Sequence, residues 1–322
     1  MTKPARTARA SGLELAASML GPLAANDVAL GPMTTYRVGG AAALFVRPRR
    51  VDDLAIVAEA CRVGEVPVLV VGRGSNLLVA DDGFPGVAVS LVDLGTDIAI
   101  VDTVVRAGGA VALPVLARRT VAGSLTGFEW AVGVPGSVGG GVRMNAGGHG
   151  SDMAASLLDI ELFDLHRAAS VVLAADALGL RFRGSELADH QVVLSARLQL
   201  AAGDRDRSAT ELDEIVRWRR EHQPGGQNAG SVFVNPVPGE VTAGALIDRC
   251  GLRGHRLGTA HVSEKHANFI QADEGGRSAD VRALIELVRD CVADETGYRM
   301  RSEVKLVGFA DVEVDQAAGV DW

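Results

Sequence analysis

The sequence has 322 residues, a formal net charge of −8 and 48% hydrophobic residues. This length accommodates two or three domains with a large core, which excludes a peptide or a stapled mini-protein. The 40 acidic residues outnumber the 32 basic ones and no basic stripe alternates with aromatic residues, so nucleic acid is not an expected partner.

The N-terminal region carries basic residues before an apolar run from Leu13 to Ala25, as a signal peptide does. Glu14 and Pro22 interrupt this run, which fits a leading helix equally well, and we do not expect export. No stretch approaches 18 uninterrupted apolar residues, so no membrane-spanning helix is expected. The cysteines are odd in number and far apart, which indicates reduced thiols rather than a disulfide framework: Cys61, Cys250 and Cys291.

The pattern of apolar residues predicts a β-α-β unit first and an α+β arrangement later. In the first half, strands are predicted at 41–47 and 66–71, helices at 52–62 and 111–122, and a more irregular, Val-rich region at 87–91 and 98–105. Strands at 157–164 and 192–200 precede a predicted polar linker at 201–210. Beyond it, helices are predicted at 211–222, 243–250 and 279–294, strands near 256–262, 267–272 and 303–307, and a disordered acidic tail at 310–322.

The segment GRGSN, residues 72–76, follows an apolar strand. Its glycines permit close approach, and its N–H groups together with Ser75 are suited to hold a pyrophosphate. The alternative is a tight β-turn with incidental polar residues. The segment is neither a Walker loop nor a GxGxxG fingerprint.

Glycine is in excess, with 39 residues and no Gly-X-Y period, and eight of them lie within Gly133–Gly150. Such density in an apolar context predicts backbone lying directly against a flat or anionic ligand, with Ser137 and Asn145 as its polar groups. A flexible loop is the alternative. Two such segments in one chain favour an extended, dinucleotide-like cofactor.

Three further residues are candidates for chemistry, and each has a plainer alternative. Arg183 is suited to bind a carboxylate, or it is a surface arginine paired with Glu186. Ser231, between Gly230 and an apolar pair, is suited to donate a proton or to cap a turn. Glu303 lies in a predicted strand and is otherwise a solvated edge residue.

No metal site is expected, because His261 and His266 are five positions apart (i, i+5) and do not match metal-helix spacing. The GxSxG pattern of nucleophilic hydrolases is also absent.

The order of the motifs resembles the UDP-N-acetylenolpyruvoylglucosamine reductase family. The resemblance runs from about Thr34 to Gly308 and rests on these blocks: TTYRVGG (34–40), VGRGSNLLV (71–79), GFEWAVGVPGSVGGGVRMNAGGHG (127–150), RFRGS (181–185), NAGSVFVNP (228–236), LIDRCGLRG (246–254), HVSEKHANFI (261–270) and SEVKLVG (302–308). The last blocks resemble the shorter of the family's two forms.

The resemblance implies an α+β fold: a two-subdomain FAD-binding module of the PCMH or vanillyl-alcohol-oxidase type, followed by an α+β substrate-binding domain. The expected organisation is an N-terminal extension (1–33), the FAD-binding domain (34–205, subdomains about 34–95 and 96–205), the substrate-binding domain (206–309) and the acidic tail (310–322).

The implied activity is NADPH-dependent reduction of UDP-N-acetylglucosamine enolpyruvate to UDP-N-acetylmuramate in peptidoglycan precursor synthesis, by a cytoplasmic monomer without a membrane partner. The resemblance makes Arg183, Ser231 and Glu303 catalytic, with Glu303 protonated beside the developing enolate. Lys265 and Asn268 are expected to contact the substrate. FAD is expected to bind Gly72, Arg73, Gly74, Ser75, Asn76, Gly136, Ser137, Gly140, Asn145 and Gly147.

One position departs from the family pattern, because Phe182 stands where tyrosine usually precedes the arginine. We expect the ring packing and the activity to survive this change. The alternatives are an FAD-linked oxidase of the same superfamily acting on a sugar or lactone, and a non-catalytic sugar-nucleotide binder. An oxidase of that type often attaches flavin through a histidine, for which His149 lacks the expected setting.

Overall fold

The computed structural model describes residues 3–309, and the side chains from residue 10 onward. Its helices are α1 (Lys3–Leu20), α2 (Val51–Gly64), α3 (Leu113–Ala122), α4 (Val138–Arg143), α5 (Arg205–His222), α6 (Ala243–Arg249) and α7 (Ser278–Thr296). Its strands are β1 (Ala24–Ala29), β2 (Ala41–Val46), β3 (Val68–Val70), β4 (Leu77–Val79), β5 (Phe84–Val89), β6 (Ile98–Val101), β7 (Val104–Gly108), β8 (Leu125–Thr126), β9 (Gly147–Gly148), β10 (Ser151–Asp152), β11 (Leu157–Asp164), β12 (Ala169–Ala174), β13 (Gln191–Gln199), β14 (Ala201–Ala202), β15 (Arg256–Leu257), β16 (Ala260–Val262), β17 (Ile270–Ala272) and β18 (Lys305–Val307).

The chain forms two compact units whose segments are interleaved along the sequence. Unit 1 contains the chain up to Val28, then 43–73 and 85–219, and unit 2 contains 29–42, 74–84 and the chain from Arg220. The predicted domains were continuous stretches, and the units differ from them because two short early segments belong with the C-terminal chain.

The first sheet has the strand order β1-β2-β5-β3, with β3 and β5 parallel. Helix α2 begins where the Asp53 carboxylate accepts the N–H groups of Arg49 and Arg50, at 2.8 and 3.0 Å. Its apolar residues recur at helical spacing, which places them in one core with α1, the first sheet and part of β11 and β13. The predicted leading helix and β-α-β unit are confirmed.

The second sheet of unit 1 has the strand order β12-β11-β13-β7-β6 with antiparallel pairing throughout. The Val-rich stretch at 98–105, which was expected to be irregular, forms β6 and most of β7 on either side of a turn at Asp102, which has a positive φ of 52°. The main core of this unit lies between this sheet, α3 and the glycine-dense segment.

The predicted linker at 201–210 is wrong, because β14 and the first turns of α5 occupy it. Asp204 starts the helix by accepting the N–H of Arg207 at 2.9 Å, and Ser208 is buried with its hydroxyl 2.6 Å from Glu129 Oε1. A polar, small-residue sequence was therefore a helix N-terminus rather than a boundary.

Unit 2 contains the sheet β15-β16-β17 and the parallel pair β4 and β18. Residues of α7 at spacings of three and four are buried against this sheet, among them Val281, Leu284 and Val288. Tyr36 and Leu78, from the early segments, complete the same core.

Helix α7 and the final strand confirm the predicted elements, although β18 begins two residues after Glu303. No helix within residues 3–309 is long and apolar enough to cross a membrane. The predicted disordered tail, 310–322, lies outside the described residues.

Candidate active site

The segment Gly72–Asn76 leaves the end of β3 as an irregular turn. The main-chain N–H groups of these five residues have no hydrogen-bond acceptor within residues 3–309, whereas the carbonyls of Gly74 and Asn76 accept bonds from Thr35, Leu77 and Lys305. Gly74 has a φ of 59°, and a Cβ there would collide with the Met33 carbonyl. Successive N–H donors of this kind form an anion-binding concavity.

Gly72 lies directly against the second predicted cofactor segment within unit 1. A Cβ at Gly72 would stand 2.5 Å from the Ser137 hydroxyl oxygen. Ser137 is buried and caps α4 by accepting the Gly140 N–H at 3.4 Å. Within unit 1, the structure thus places Gly72 of the first expected cofactor segment directly against Ser137 of the second.

Within Gly133–Gly150 the glycines serve two purposes. A Cβ would crowd the Gly109 backbone at Gly139, Met153 at Gly141 and Asp152 at Gly147, so these three positions allow close packing of the protein on itself. Gly148 and Gly150 have open surroundings, whereas a Cβ at Gly140 would meet the Ser137 hydroxyl oxygen at 3.4 Å. The expectation that the whole segment faces a ligand was too broad, since packing explains part of the glycine excess.

Asn145 is buried and its side chain is bonded to the protein. Its amide donates to Asp152 Oδ2 (3.0 Å) and to the Arg181 carbonyl (3.3 Å), and its Oδ1 accepts the Ala154 N–H (2.9 Å). The residue predicted to bind cofactor therefore anchors the turn that begins at Arg181.

That turn carries Arg183. The N–H and carbonyl of Arg181 pair with those of Gly184, at 2.9 and 3.1 Å, and Arg183 takes a left-handed φ of 58° between them. Its guanidinium carbon lies 5.0 Å from the centre of the Phe182 ring, which is 62% exposed. The side chain predicted as an alternative partner, Glu186, lies against Gly179.

Ser231 and Glu303 belong to neighbouring extended segments of unit 2. The Glu303 N–H donates to the Val232 carbonyl at 2.7 Å, and the Val234 N–H donates to the Arg301 carbonyl at 3.0 Å. The Asn76 amide donates to the Glu303 carbonyl at 2.8 Å. The main-chain segments that carry these two predicted catalytic residues therefore lie side by side, whereas Arg183 belongs to unit 1.

The two predicted substrate contacts both bond to the protein. The Lys265 ammonium donates to the carbonyl of Arg220, in the last turn of α5, at 2.6 Å, which satisfies one of its three N–H donors. The Asn268 side chain is buried and bonds both main-chain groups of Phe233.

One cluster was missed by the sequence interpretation. In unit 1, the His149 ring packs edge-on against the Trp218 ring, with 5.2 Å between the ring centres. Both His149 and Arg219 pack against Gly133, where an added Cβ would lie only 3.3 Å from Arg219 Cδ. Burial lowers the pKa of the Arg219 guanidinium, which makes no ion pair or hydrogen bond within the described residues. No local sequence signal distinguishes Arg219 from other arginines of this charged helix.

No group of three or more histidine, cysteine, aspartate or glutamate side chains within the described residues is placed to hold a metal ion. The three cysteines are free thiols.

Comparison with known proteins agrees with these features. Residues 42–166 match the FAD binding domain family, and residues 222–307 match the C-terminal domain of UDP-N-acetylenolpyruvoylglucosamine reductase. The reductase of Thermus caldophilus, a solved structure, has a TM-score of 0.75 and 32% identity, covering 88% of this chain and 98% of its own.

Full-length relatives give the same result. The UDP-N-acetylenolpyruvoylglucosamine reductase of Heliobacterium modesticaldum is 40% identical over 88% of this chain and 90% of its own. That of Gloeobacter violaceus is 41% identical over 87% of this chain and 95% of its own. The chain therefore belongs to the UDP-N-acetylenolpyruvoylglucosamine reductase family, the FAD-containing oxidoreductases also named UDP-N-acetylmuramate dehydrogenases.

Proposed function

We propose that Arg183, Ser231 and Glu303 carry the reaction of this family in this chain, the reduction of UDP-N-acetylglucosamine enolpyruvate to UDP-N-acetylmuramate for peptidoglycan. The observation that supports this assignment best is the hydrogen bond from the Glu303 N–H to the Val232 carbonyl, which places Glu303 on the segment next to Ser231. A positioned proton donor is what the second step of such an addition to a double bond requires.

The residues present fit FAD. The N–H groups of Gly72 to Asn76, which lack acceptors within residues 3–309, are suited to the pyrophosphate, and Ser137 and Gly140 line the adjoining segment. Gly136 and Gly147 are proposed to complete this surface. When bound, FAD supplies a hydride to the substrate and is reduced in turn by NADPH.

Arg183 is proposed to bind the carboxylate of the enolpyruvyl group. Hydride addition to the terminal carbon of the enol ether moves negative charge onto the neighbouring carbon and this carboxylate. The Arg181–Gly184 turn and the Phe182 ring restrict the guanidinium, so we propose that it needs little reorganisation to stabilise that charge in the transition state.

Ser231 is proposed to donate its hydroxyl proton to the carbon next to the carboxylate, which completes the reduction. Glu303 is proposed to act as a neutral, protonated group beside the developing charge, because an ionised carboxylate would repel it. Lys265 keeps two N–H donors beyond its bond to Arg220 and is proposed to contact the sugar nucleotide. We further propose that the enzyme works in the cytoplasm as a monomer.

The test is spectroscopic. Purified protein is expected to be yellow, to bleach with NADPH under anaerobic conditions and to regain colour when the enolpyruvyl sugar nucleotide is added. Recovery of the colour by oxygen and not by this substrate would indicate the FAD-linked oxidase instead. Bleaching without recovery by either would indicate a non-catalytic binder, and failure to bind FAD would contradict the whole assignment.

A further inference from the structure

Asn268 lies between β16 and β17, is 4% exposed, and is bonded to its surroundings on every side. The Phe233 N–H donates to its Oδ1 at 2.9 Å, and its Nδ2 donates to the Phe233 carbonyl at 2.8 Å. Its main-chain carbonyl accepts the Val232 N–H at 2.9 Å. The amide thus pairs with Phe233 as a strand backbone would.

Only an asparagine-sized amide can make this pair of bonds, because one end accepts while the other donates. A carboxylate at position 268 would place an acceptor oxygen against the acceptor oxygen of the Phe233 carbonyl. An alkyl side chain there would leave the buried N–H and carbonyl of Phe233 without hydrogen-bond partners.

The segment that Asn268 binds is the one that carries Ser231. On its other edge, this segment is bonded to 301–303 through the Val232 carbonyl and the Val234 N–H. Upstream of Ser231 stands Gly230, with a φ of 81° and no neighbouring atom within 4 Å of a Cβ. The Gly230 N–H makes a local bond to Asn228 Oδ1 at 3.0 Å. The bonds that tie the Ser231 segment to other segments lie downstream, where Asn268 and Arg301 to Glu303 hold Val232 to Val234.

We propose that Asn268 is a positioning residue for the proton-donating hydroxyl of Ser231, acting through the main chain of Val232 and Phe233 rather than by contact with substrate. This rests on the proposed function of Ser231. Because proton donation belongs to the step in which substrate is reduced, loss of Asn268 should slow flavin reoxidation and leave flavin reduction by NADPH unchanged.

The experiment measures the two half-reactions separately by anaerobic stopped-flow absorbance of the bound flavin. Asn268→Ala is expected to lower the rate of reoxidation by saturating enolpyruvyl sugar nucleotide about 10-fold or more, since small displacements of a reacting group have effects of this size. The rate of reduction by NADPH and the substrate Kd should stay within about 2-fold of wild type.

The Asn268→Asp variant tests the hydrogen bond to the Phe233 carbonyl by itself, because aspartate keeps the size and shape of the asparagine side chain. Its reoxidation rate, relative to wild type, should rise on acidification, because a protonated carboxyl can again donate to the Phe233 carbonyl. A rate that stays flat relative to wild type over pH 5 to 8 would overturn the proposal. Thr242→Ala is the matched control, since it removes the cap of α6 in the same unit and weakens stability without affecting either half-reaction.

A double-mutant cycle separates this inference from the function on which it rests. If Asn268 acts through Ser231, adding Asn268→Ala to Ser231→Ala should slow reoxidation no further. A full additional effect in that background, or a raised Kd without a slower step, would assign Asn268 to the substrate and overturn the positioning role. If Ser231→Ala itself reoxidises at the wild-type rate, the proposed function of Ser231 fails instead.

Discussion

Arg183 adopts a left-handed backbone conformation that disfavours every residue with a Cβ. The cost of this conformation is about 1 to 2 kcal/mol for a non-glycine residue. The two hydrogen bonds between Arg181 and Gly184 and the bond from Asn145 to the Arg181 carbonyl hold the turn in place. Eight other non-glycine residues of the described chain, Arg37 among them, also have a positive φ, so the importance of the Arg183 side chain is inferred from the family motif rather than from this strain.

Arg183→Gly separates strain from chemistry. Glycine relieves the strain but loses more entropy on folding, so the free energy of unfolding should stay within about 1 kcal/mol of wild type. Reoxidation of the flavin by substrate should be lost, since no guanidinium remains. Thermal unfolding and stopped-flow absorbance measure the two quantities. A variant that is active, or one destabilised by several kcal/mol, would contradict this account of the turn.

The hydroxyl of Tyr36 is fully buried and has no hydrogen-bond partner in the described residues. Burial raises the pKa of this phenol far above its ordinary value. A buried unsatisfied hydroxyl costs about 1 to 3 kcal/mol. Tyr36→Phe should therefore leave stability equal or raise it by up to about 1 kcal/mol in chemical denaturation. A loss above about 1 kcal/mol would show that the hydroxyl is bonded after all.

The sequence could identify Arg183, Ser231 and Glu303 through the family resemblance but could not show how they are held. Asn145 and Asn268 were predicted to touch ligands because they are polar residues in glycine-rich or polar motifs. Their actual hydrogen bonds are to main-chain groups 36 and 35 residues away in sequence, and no local pattern encodes such partners.

His166, just after β11, and His190, just before β13, form a stacked pair of imidazole rings. The rings of His166 and His190 lie 3.6 Å apart at 11°, and His190 Nε2 is 3.7 Å from Asp164 Oδ1. Burial and then the neighbouring His166 lower the pKa of His190, with Arg143 acting in the same direction and Asp164 and Asp189 opposing it.

The stacked pair predicts a stability loss on mild acidification. The unfolded imidazole binds a proton near pH 6.5, and folded His190 does so only at lower pH, so protons favour the unfolded state between these values. The free energy of unfolding should fall as the pH drops through 6.5, and His190→Gln should flatten this slope. Denaturant titrations at pH 5 to 8 test it, with the exposed His255→Gln as control. An equal slope in the His190 variant would contradict the prediction.

We predict that Arg219, in helix α5, contributes to the binding of FAD. A half-buried arginine without an acceptor in the described residues is poorly compensated until an anionic group binds. Arg219→Met keeps the alkyl packing at Gly133 and removes the charge, so we expect the FAD Kd to rise about 10-fold or the flavin midpoint potential to fall. Flavin fluorescence and potentiometry measure these. The exposed Arg217→Met on the same helix is the control, and equal effects from both variants would show a general charge effect.

Element prediction succeeded where periodicity was strong and failed where burial was partial. Helices α2 and α7 and strands β11 and β13 have clear apolar spacing and were predicted closely. Strand β12, ASVVLA, is half exposed and was missed. The prediction of a linker at 201–210 fails because helix caps and linkers share the same small, polar residues.

At the scale of the molecule, the interleaved units limit what any fragment can do. Unit 2 takes Tyr36, Val38 and Leu78 into its core from segments that precede Arg220, and β18 has β4 as its partner. The sequence could not show this, because the pairing of Lys305 with Leu77 joins residues that no short motif connects.

A fragment of residues 220–309 should therefore not fold alone, although residues 222–307 match a family domain. We expect circular dichroism without a cooperative thermal transition, whereas the full chain unfolds cooperatively. A sharp transition in the fragment, with the dispersed amide resonances of a folded protein, would show that the early segments are dispensable.

The pairing of β4 with β18 also bears on how the protein is made in the cell. Leu77 leaves the ribosome 228 residues before Lys305, an interval of roughly 10 to 45 s at ordinary translation rates of about 5 to 20 residues per second. During that time the apolar strand Leu77–Val79 lacks its partner strand, and most of the residues that bury Tyr36 and Val38 have not yet been synthesised. The nascent chain consequently spends most of its synthesis with these segments exposed, and we expect it to depend on chaperones that shield emerging polypeptides.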